Sequence, residues 1–218
     1  HVRVYNGSGT ITSLSDGQCL ATNADTSATP YTSGAAYVAR YEASSGKLYL
    51  NGYQNDYQII APNSVIFADG DLNIEVVSDS SFSTSVSATN DLYGIQANGK
   101  LNISGSGKLT VTANGSGDVY GIYAKEGVTI SAPLDVNVGK VDSSKNGPVY
   151  GIYAQSGAIS LSGNDMIVTA TGGTEAAYGV YNAADTPAIA GNGNIGISGT
   201  LTVNLNSGSS NVGIYTGS

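Results

Sequence analysis

One short pattern recurs along this chain and constrains its fold more than any other feature. It is an aromatic or aliphatic residue followed by Gly-Ile-Tyr-Ala or a close variant. The six copies are VIFADGDLNI from Val65, YGIQANGKLNI from Tyr93, YGIYAKEGVTI from Tyr120, YGIYAQSGAISL from Tyr150, YGVYNAADTPAIAGNGNIGI from Tyr178 and VGIYTGS from Val212. Their central aliphatic residues, from Ile66 to Ile214, follow at steps of 29, 27, 30, 28 and 34 residues by subtraction. Such a period is typical of solenoid proteins.

Each repeat contains three short strands, as the second copy shows best. YGIQA, KLNIS and KLTVTA are separated by the turn sequences NG and GSG. Apolar and polar residues alternate in these strands, so that Leu109 and Val111 face one side and Thr110 faces the other. We therefore predict an all-β, single-stranded, right-handed parallel β-helix of about six rungs, with three short strands in each rung and an N-terminal β cap.

The segment before Val65 differs from the repeats and is predicted to cap them. AAYVARYEASSGKLYLNGY has the pattern of two strands around a Ser-Ser-Gly turn, and GKLYLNG is similar to GKLTVTA of the repeat. Residues 1–64 are therefore assigned to the cap and a degenerate first rung, and residues 65–218 to one continuous β-helix domain. No signal peptide or C-terminal cap is visible in the sequence. We expect a mature or trimmed form of a longer chain with flanking domains.

Composition and charge argue against two classes of partner. The formal net charge is -8, and the eight Lys and Arg residues do not cluster, so binding to phosphate backbones lacks its electrostatic driving force. No apolar run approaches the roughly 20 residues that a membrane span requires. Neither nucleic acid binding nor membrane insertion is expected. Cys19, the only cysteine, is predicted to be a small buried apolar residue.

The second tyrosine of the repeated strand is the main candidate for ligand binding. Regular alternation would bury the first tyrosine, the isoleucine and the alanine, and would expose the glycine and the second tyrosine. The predicted ligand-binding residues are Tyr123, Tyr153, Tyr181 and Tyr215. Aromatic faces beside a trough of glycines could stack successive sugar rings while the hydroxyls bond to sugar hydroxyls. The alternative is that the aromatic row only shields glycine and stabilises the sheet.

The first tyrosine of the strand is predicted to serve packing. Alternation places this second set in the core or at a corner of each rung, with the hydroxyl satisfied near a turn. Its members are Tyr93, Tyr120, Tyr150 and Tyr178.

Acidic residues of the first repeat suggest a weak metal site. Asp69, Asp71, Asn73 and Glu75 occur at every second position of ADGDLNIE. This spacing is similar to the start of a calcium loop, although the glycine and the closing glutamate of such a loop are missing. Calcium is the one cofactor considered, and a solvated acidic face is the alternative.

Catalytic groups are sparse. His1 is the only histidine, so the repeats cannot supply a Ser-His-Asp or Cys-His arrangement. Two carboxylates at a suitable separation are sufficient for glycoside hydrolysis, so a polysaccharide lyase or glycoside hydrolase stays open as an alternative. The outward positions equivalent to Thr110 and Thr112 are Asp135 and Asn137, then Ile167 and Thr169, then Thr202 and Asn204, so no regular threonine lattice of the ice-binding kind results.

The run YGIYA followed by G-x-LTISGSGKLTVTA, carried here from about Tyr93 to Tyr215, resembles repeats in large secreted or cell-wall-attached proteins of Gram-positive gut bacteria. Those relatives look like parallel β-helices and are often described as adhesin-like or carbohydrate-binding; pectate-lyase-like β-helices are a more distant similarity. The resemblance implies an extracellular module, secreted or attached to the cell wall, that binds a glycan or a host or cell-wall polysaccharide. A stalk or spacer with no ligand of its own is the competing interpretation.

Overall fold

The structure is a computed structural model that describes residues 2–5, 11–25, 27–55, 64–87, 89–184 and 195–217. These residues form β-strands joined by turns and loops, and no helix occurs among them, which confirms the all-β prediction. It follows that no helix with the length and hydropathy of a membrane span is found in those ranges.

The strands fall into an N-terminal group and a repetitive group. The N-terminal strands are β1 (Val2–Tyr5), β2 (Ile11–Leu14), β3 (Gln18–Leu20), β4 (Thr29–Pro30), β5 (Ala39–Glu42), β6 (Lys47–Asn51) and β7 (Gln54–Asn55). The repetitive strands are β8 (Ser64–Ala68), β9 (Leu72–Ser78), β10 (Ser80–Val86), β11 (Leu92–Ala97), β12 (Leu101–Gly105), β13 (Leu109–Gly115), β14 (Val119–Ala124), β15 (Val128–Ile130), β16 (Leu134–Lys140), β17 (Val149–Ala154), β18 (Ile159–Leu161), β19 (Met166–Thr171), β20 (Ala177–Asn182), β21 (Ile195–Ile197), β22 (Leu201–Asn206) and β23 (Asn211–Thr216).

From β8 onward, the chain visits three sheets in turn. Sheet A contains β8, β11, β14, β17, β20 and β23, extended at one edge by β1 and β2. Sheet B runs from β21 through β18, β15, β12, β9 and β6 to β5, β3 and β4, and sheet C runs from β22 through β19, β16, β13 and β10 to β7. Each repetitive strand pairs in parallel with the strand three places further along the chain. The fold is therefore a parallel β-solenoid, with about four turns, β8 to β19, in which every strand is paired on both sides.

Equivalent residues of successive repeats stand directly above one another. Ile95 pairs with Ile66 and with Ile122, which in turn pairs with Ile152, and the same register continues through Val180. The predicted alignment of the repeated strands is confirmed, including its central aliphatic residues.

The interior is a continuous stack of aliphatic side chains. Leu109 and Val111 are fully buried, whereas Thr110 between them is half-buried on the outside. This pattern confirms the alternation predicted for the third strand of the repeat. Cys19 is also buried, as predicted.

The alternation predicted for the Tyr-Gly-Ile-Tyr-Ala strand is wrong. In β14, a Cβ atom on Gly121 would lie 2.4 Å from Cγ1 of Val136 in sheet C, so the glycine faces the interior. The next residue, Ile122, is fully buried as well. Two consecutive residues thus face inward, and Tyr120 and Tyr123 both lie on the outer face with their ring centroids 5.5 Å apart. The physical reason is the narrow gap between sheets A and C, which leaves no space for a side chain at the glycine.

The N-terminal strands adjoin the edges of sheets A and B. Strand β1 pairs antiparallel with β2 and with β8, while β5 and β6 form the predicted hairpin around the Ser-Ser-Gly turn. Strands β6 and β7 run parallel to β9 and β10 and so precede them in the same ladders.

Candidate functional site

Four tyrosines of sheet A form a stacked row on its outer face, here called the second tyrosine row. Its members are the predicted ligand-binding residues Tyr123, Tyr153, Tyr181 and Tyr215. Their ring centroids are separated by 5.4, 5.3 and 4.5 Å in that order, and the ring planes differ by 11° or less. The strand register creates this row, because Tyr153 pairs directly with Tyr123 and with Tyr181.

A second stacked set lies beside it, here called the first tyrosine row. It consists of Tyr93, Tyr120, Tyr150 and Tyr178, with centroid separations of 4.9, 4.9 and 5.1 Å and ring planes 10° apart at each step. These residues were predicted to be core or corner residues with the hydroxyl satisfied near a turn. The core placement is wrong, because the inward glycine moves them to the outer face. The hydroxyls of Tyr93 and Tyr120 do bond to residues that directly precede their strands. Tyr120 is nevertheless buried, since neighbouring rings cover it.

The two rows interlock at nearly right angles. The ring of Tyr153 makes edge contacts with Tyr120 at 5.2 Å and 81° and with Tyr150 at 5.0 Å and 71°. Perpendicular and offset-stacked pairs are the arrangements that aromatic quadrupoles favour. Most ring faces are therefore turned towards other tyrosines, and the surface presents hydroxyls and ring edges. The predicted trough of outward glycines is not formed.

Burial also affects the ionisation of these tyrosines. Desolvation, followed by the neighbouring Tyr123 and Tyr181, raises the pKa of Tyr153 to about 12. The pKa values of Tyr93, Tyr120 and Tyr150 are raised as well, in each case chiefly by desolvation. The hydroxyls therefore stay protonated at neutral pH and can each donate one hydrogen bond.

Both ends of the second tyrosine row differ from its centre. Towards the N-terminus, the same position is occupied by Gln96 and then Phe67, and the guanidinium of Arg3 from β1 lies 4.0 Å from the Phe67 ring centroid. A cation over an aromatic face is a stabilising contact. At the other end, 39% of the surface of Tyr215 is exposed to solvent. Arg3 thus covers the N-terminal end of this position, and Tyr215 of the last strand is partly exposed.

The predicted calcium ligands lie on and next to β9 in sheet B, away from the tyrosines. Asp69 and Asp71 are in the turn before the strand, and the Asp71 carboxylate accepts a hydrogen bond from the backbone of Lys100 at 2.8 Å. The Glu75 carboxylate forms an ion pair with Lys47 at 2.8 Å.

The side chain of Asn73 forms hydrogen bonds with residues of the neighbouring turns of the solenoid. Its side-chain amide donates to the carbonyl of Ser45 at 3.1 Å and accepts from Asn102 at 2.9 Å. Among the residues that the structure describes, no group of three or more His, Cys, Asp or Glu residues is placed to hold a metal ion. One side-chain oxygen each of Asp71, Asn73 and Glu75 accepts a hydrogen bond from a protein donor.

Sequence reasoning missed two carboxylates that border the first tyrosine row. The hydroxyl of Tyr93 donates to Asp91 at 3.4 Å, and Tyr120 is hydrogen-bonded to Asp118. A signal was present, because Asp91-Leu92-Tyr93 and Asp118-Val119-Tyr120 repeat the same spacing of aspartate before tyrosine. The carboxylates and the aromatic rows therefore form one contiguous surface.

No protein-family model, curated protein or solved structure matches the chain. The tyrosine rows and their polar borders are therefore the features of the molecule that point to a function.

Proposed function

We propose that this solenoid is an extracellular module of a bacterial surface protein that binds a glycan along the outer face of sheet A. The observation that carries the proposal is the double tyrosine row, in which eight aromatic side chains from five neighbouring strands repeat at about 5 Å. A ligand that follows this surface must itself be extended and repetitive. Polysaccharides have that property, and their rings combine apolar C–H groups with hydroxyls that suit tyrosine.

The mode of contact differs from simple face stacking. Because the rows interlock, a glycan would lie across ring edges and exchange hydrogen bonds with the tyrosine hydroxyls. The hydroxyl of Tyr123 illustrates the available chemistry, since it donates to the side chain of Gln155 at 2.7 Å. A host or cell-wall polysaccharide is the partner that we propose, with calcium as an accessory whose role the binding assay examines.

We further propose a right-handed solenoid of about six rungs with an N-terminal cap. Support for the cap comes from the antiparallel strands β1 and β5, which border sheets A and B on the N-terminal side. Such strands occupy hydrogen-bonding edges that would otherwise promote association. Support for the handedness comes from the strong preference of parallel crossovers for the right-handed connection.

The proposal is tested with a glycan array, with and without calcium. Wild-type protein is compared with a Tyr123→Phe/Tyr153→Phe/Tyr181→Phe variant, which keeps the stacked rings and removes three hydroxyls. We expect wild-type binding to an extended glycan, weakened about tenfold or more in the variant, because each lost hydrogen bond contributes roughly 0.5–1.5 kcal/mol. Circular dichroism establishes that both proteins are folded. Absence of binding by the wild type under both conditions would overturn the proposal.

A structural spacer is the second candidate, and one observation favours it. The tyrosine rings satisfy one another through stacked and perpendicular contacts, so the double row can stabilise sheet A without a ligand. A spacer predicts that the triple phenylalanine variant and the wild type behave alike in every binding assay. It also predicts unaltered stability, because the ring contacts are retained.

A further inference from the structure

A pocket of about 470 Å³ opens at the corner where the chain passes from sheet C to sheet A. It lies between three successive turns, and its lining includes Asp91, Asp118, Ser116 and the loop around Lys145. The same two aspartates contact the hydroxyls of the first tyrosine row. The pocket is therefore the polar border of the aromatic surface.

In the described part of the chain, neither carboxylate forms a close ion pair, although Lys140 is near enough for its charge to act on both. Within the described ranges, no lysine or arginine nitrogen lies within 4.0 Å of either carboxylate. The nearby ammonium of Lys140 instead donates to the carbonyl of Gly117. Desolvation and the charge of Asp91 both raise the pKa of Asp118. These acceptors have room for additional hydrogen-bond donors.

Ser116 supplies an independent observation. Ser116 lines the pocket, and only 5% of its surface is exposed to solvent. Its hydroxyl has no hydrogen-bond partner among the described residues. A buried hydroxyl without a partner is unfavourable, and native proteins usually satisfy such groups with water or a ligand. Rotation about the side-chain bond of a serine is sufficient to direct its hydroxyl to a new partner.

Glycine keeps this corner open. A Cβ atom on Gly147 would lie 2.6 Å from Oδ1 of Asp118, and the backbone of Gly147 has a φ of +91°, which other residues rarely adopt. Any side chain at this position would press against the carboxylate. Glycine at this position therefore avoids a clash with the Asp118 carboxylate, which is half-buried beside the Tyr120 hydroxyl.

We propose that this pocket is a subsite for a neutral sugar with adjacent free hydroxyl groups, held by Asp91, Asp118 and Ser116. This inference rests on the proposed glycan-binding function and adds the class of sugar. Carboxylates accept hydrogen bonds from two neighbouring hydroxyls, and a serine hydroxyl can donate or accept. The described lining carries two carboxylates and one ammonium group, and the protein has a net charge of -8, so a uronic acid is repelled.

Three hexasaccharides serve as probes in isothermal titration calorimetry: a β-linked glucose oligomer, a β-linked mannose oligomer and a galacturonic acid oligomer. The variants are Asp118→Asn and Ser116→Ala. Asp135→Asn on sheet C is the matched control, because it removes an aspartate from the opposite part of the surface. We expect at least one neutral oligomer to bind, with affinity about tenfold lower in Asp118→Asn, lower by a smaller factor in Ser116→Ala, and unchanged in Asp135→Asn. Thermal unfolding followed by circular dichroism establishes that each variant is folded.

The outcomes separate this inference from the proposed function. If neutral oligomers bind, and the triple phenylalanine variant weakens binding while Asp118→Asn and Ser116→Ala do not, the subsite is overturned and glycan binding on the tyrosine rows survives. Preferential binding of the galacturonic acid oligomer overturns the choice of a neutral sugar. Failure of every probe, together with a negative glycan array, overturns both.

Discussion

Sheets A and C are built by the same parallel pairing, but their outer faces differ in composition. On sheet A, four successive positions of each outer row are occupied by tyrosine, among the six strands from β8 to β23. On sheet C, one row contains Ser81, Thr110, Asp135, Ile167 and Thr202, and the other contains Ser83, Thr112, Asn137, Thr169 and Asn204. The backbone ladder is continuous in both sheets. A parallel solenoid therefore does not require identical residues on its surface, and the tyrosine rows need an explanation beyond strand pairing.

Part of that explanation is steric. Sheet A approaches the interior side chains of sheet C so closely that the strands β11, β14, β17 and β20 each have a glycine facing inward. The strand then turns two tyrosines outward, three positions apart, and their rings can meet at right angles. Aromatic cover of this kind compensates for the weak strand preference of glycine. Sheet C lacks both features.

Closing the space at an inward glycine should have the largest effect. A Cβ atom on Gly151 would lie 2.1 Å from Cγ1 of Val168 and 2.6 Å from the carbonyl oxygen of Gly179. We expect Gly151→Ala to lower the free energy of unfolding by about 3 kcal/mol, because a packed core resists added volume. Urea unfolding followed by circular dichroism measures the change.

Gly213→Ala is the matched control for that substitution. Gly213 is the equivalent glycine of β23, and a Cβ atom added to it would have no neighbouring atom within 4 Å. Its free energy of unfolding should change by less than about 1 kcal/mol. Equal losses of unfolding free energy in the two variants would show that the flexibility of glycine, and not the narrow gap between sheets, is the reason for glycine at this position.

Truncation of a central tyrosine should have the next largest effect. The ring of Tyr150 stacks on Tyr120 and Tyr178 and makes edge contacts with Tyr153 and Tyr181. Tyr150→Ala is expected to lower the free energy of unfolding by about 2 kcal/mol through lost burial and ring contacts. The corresponding truncation on sheet C, Thr169→Ala, should cost less than about 0.5 kcal/mol. Similar costs on the two faces would contradict the distinction between them.

Alkaline pH should weaken the tyrosine face selectively. Burial raises the pKa of Tyr153 to about 12 in the folded protein, against an ordinary value of about 10. The folded state therefore holds this proton more tightly, so its contribution to stability is complete below pH 10 and is lost as the pH rises through 12. Ultraviolet absorbance of tyrosinate measures the titration.

The control for the alkaline titration is the Tyr123→Phe/Tyr153→Phe/Tyr181→Phe variant. Its high-pH tyrosinate signal should be smaller, and its stability should fall less between pH 10 and 12. A wild-type titration that coincides with that of the urea-unfolded protein would contradict burial of the hydroxyls.

The sequence predicts those parts of the molecule that depend on spacing. Glycine-rich turns and a regular period are sufficient to align strands such as β11 and β14, and the hairpin of β5 and β6 follows from its Ser-Ser-Gly turn. The second tyrosine row also follows, because residues at the same position in the repeat must be neighbours in a solenoid.

The remaining features depend on distances between sheets. Strict alternation placed Gly121 outside and Tyr120 inside, and both assignments are reversed because Val136 of sheet C occupies the space that a side chain would need. Likewise, the contact between Asp118 and Tyr120 forms because Tyr120 lies on the outer face of the strand. A repeat identifies which residues are equivalent, but the width of the interior determines which way they face.

Removal of the ion pair on sheet C should have the smallest effect. The ammonium of Lys108 lies 3.4 Å from the Asp135 carboxylate, and both side chains are partly exposed. We expect Lys108→Gln to change the free energy of unfolding by less than about 0.5 kcal/mol, because solvent and salt screen exposed pairs. Urea unfolding at low and high salt measures the effect, which should vanish at high salt. A loss comparable to that of Tyr150→Ala would mean that single polar contacts stabilise sheet C as strongly as aromatic stacking stabilises sheet A, and the tyrosine rows would then need no role beyond stability.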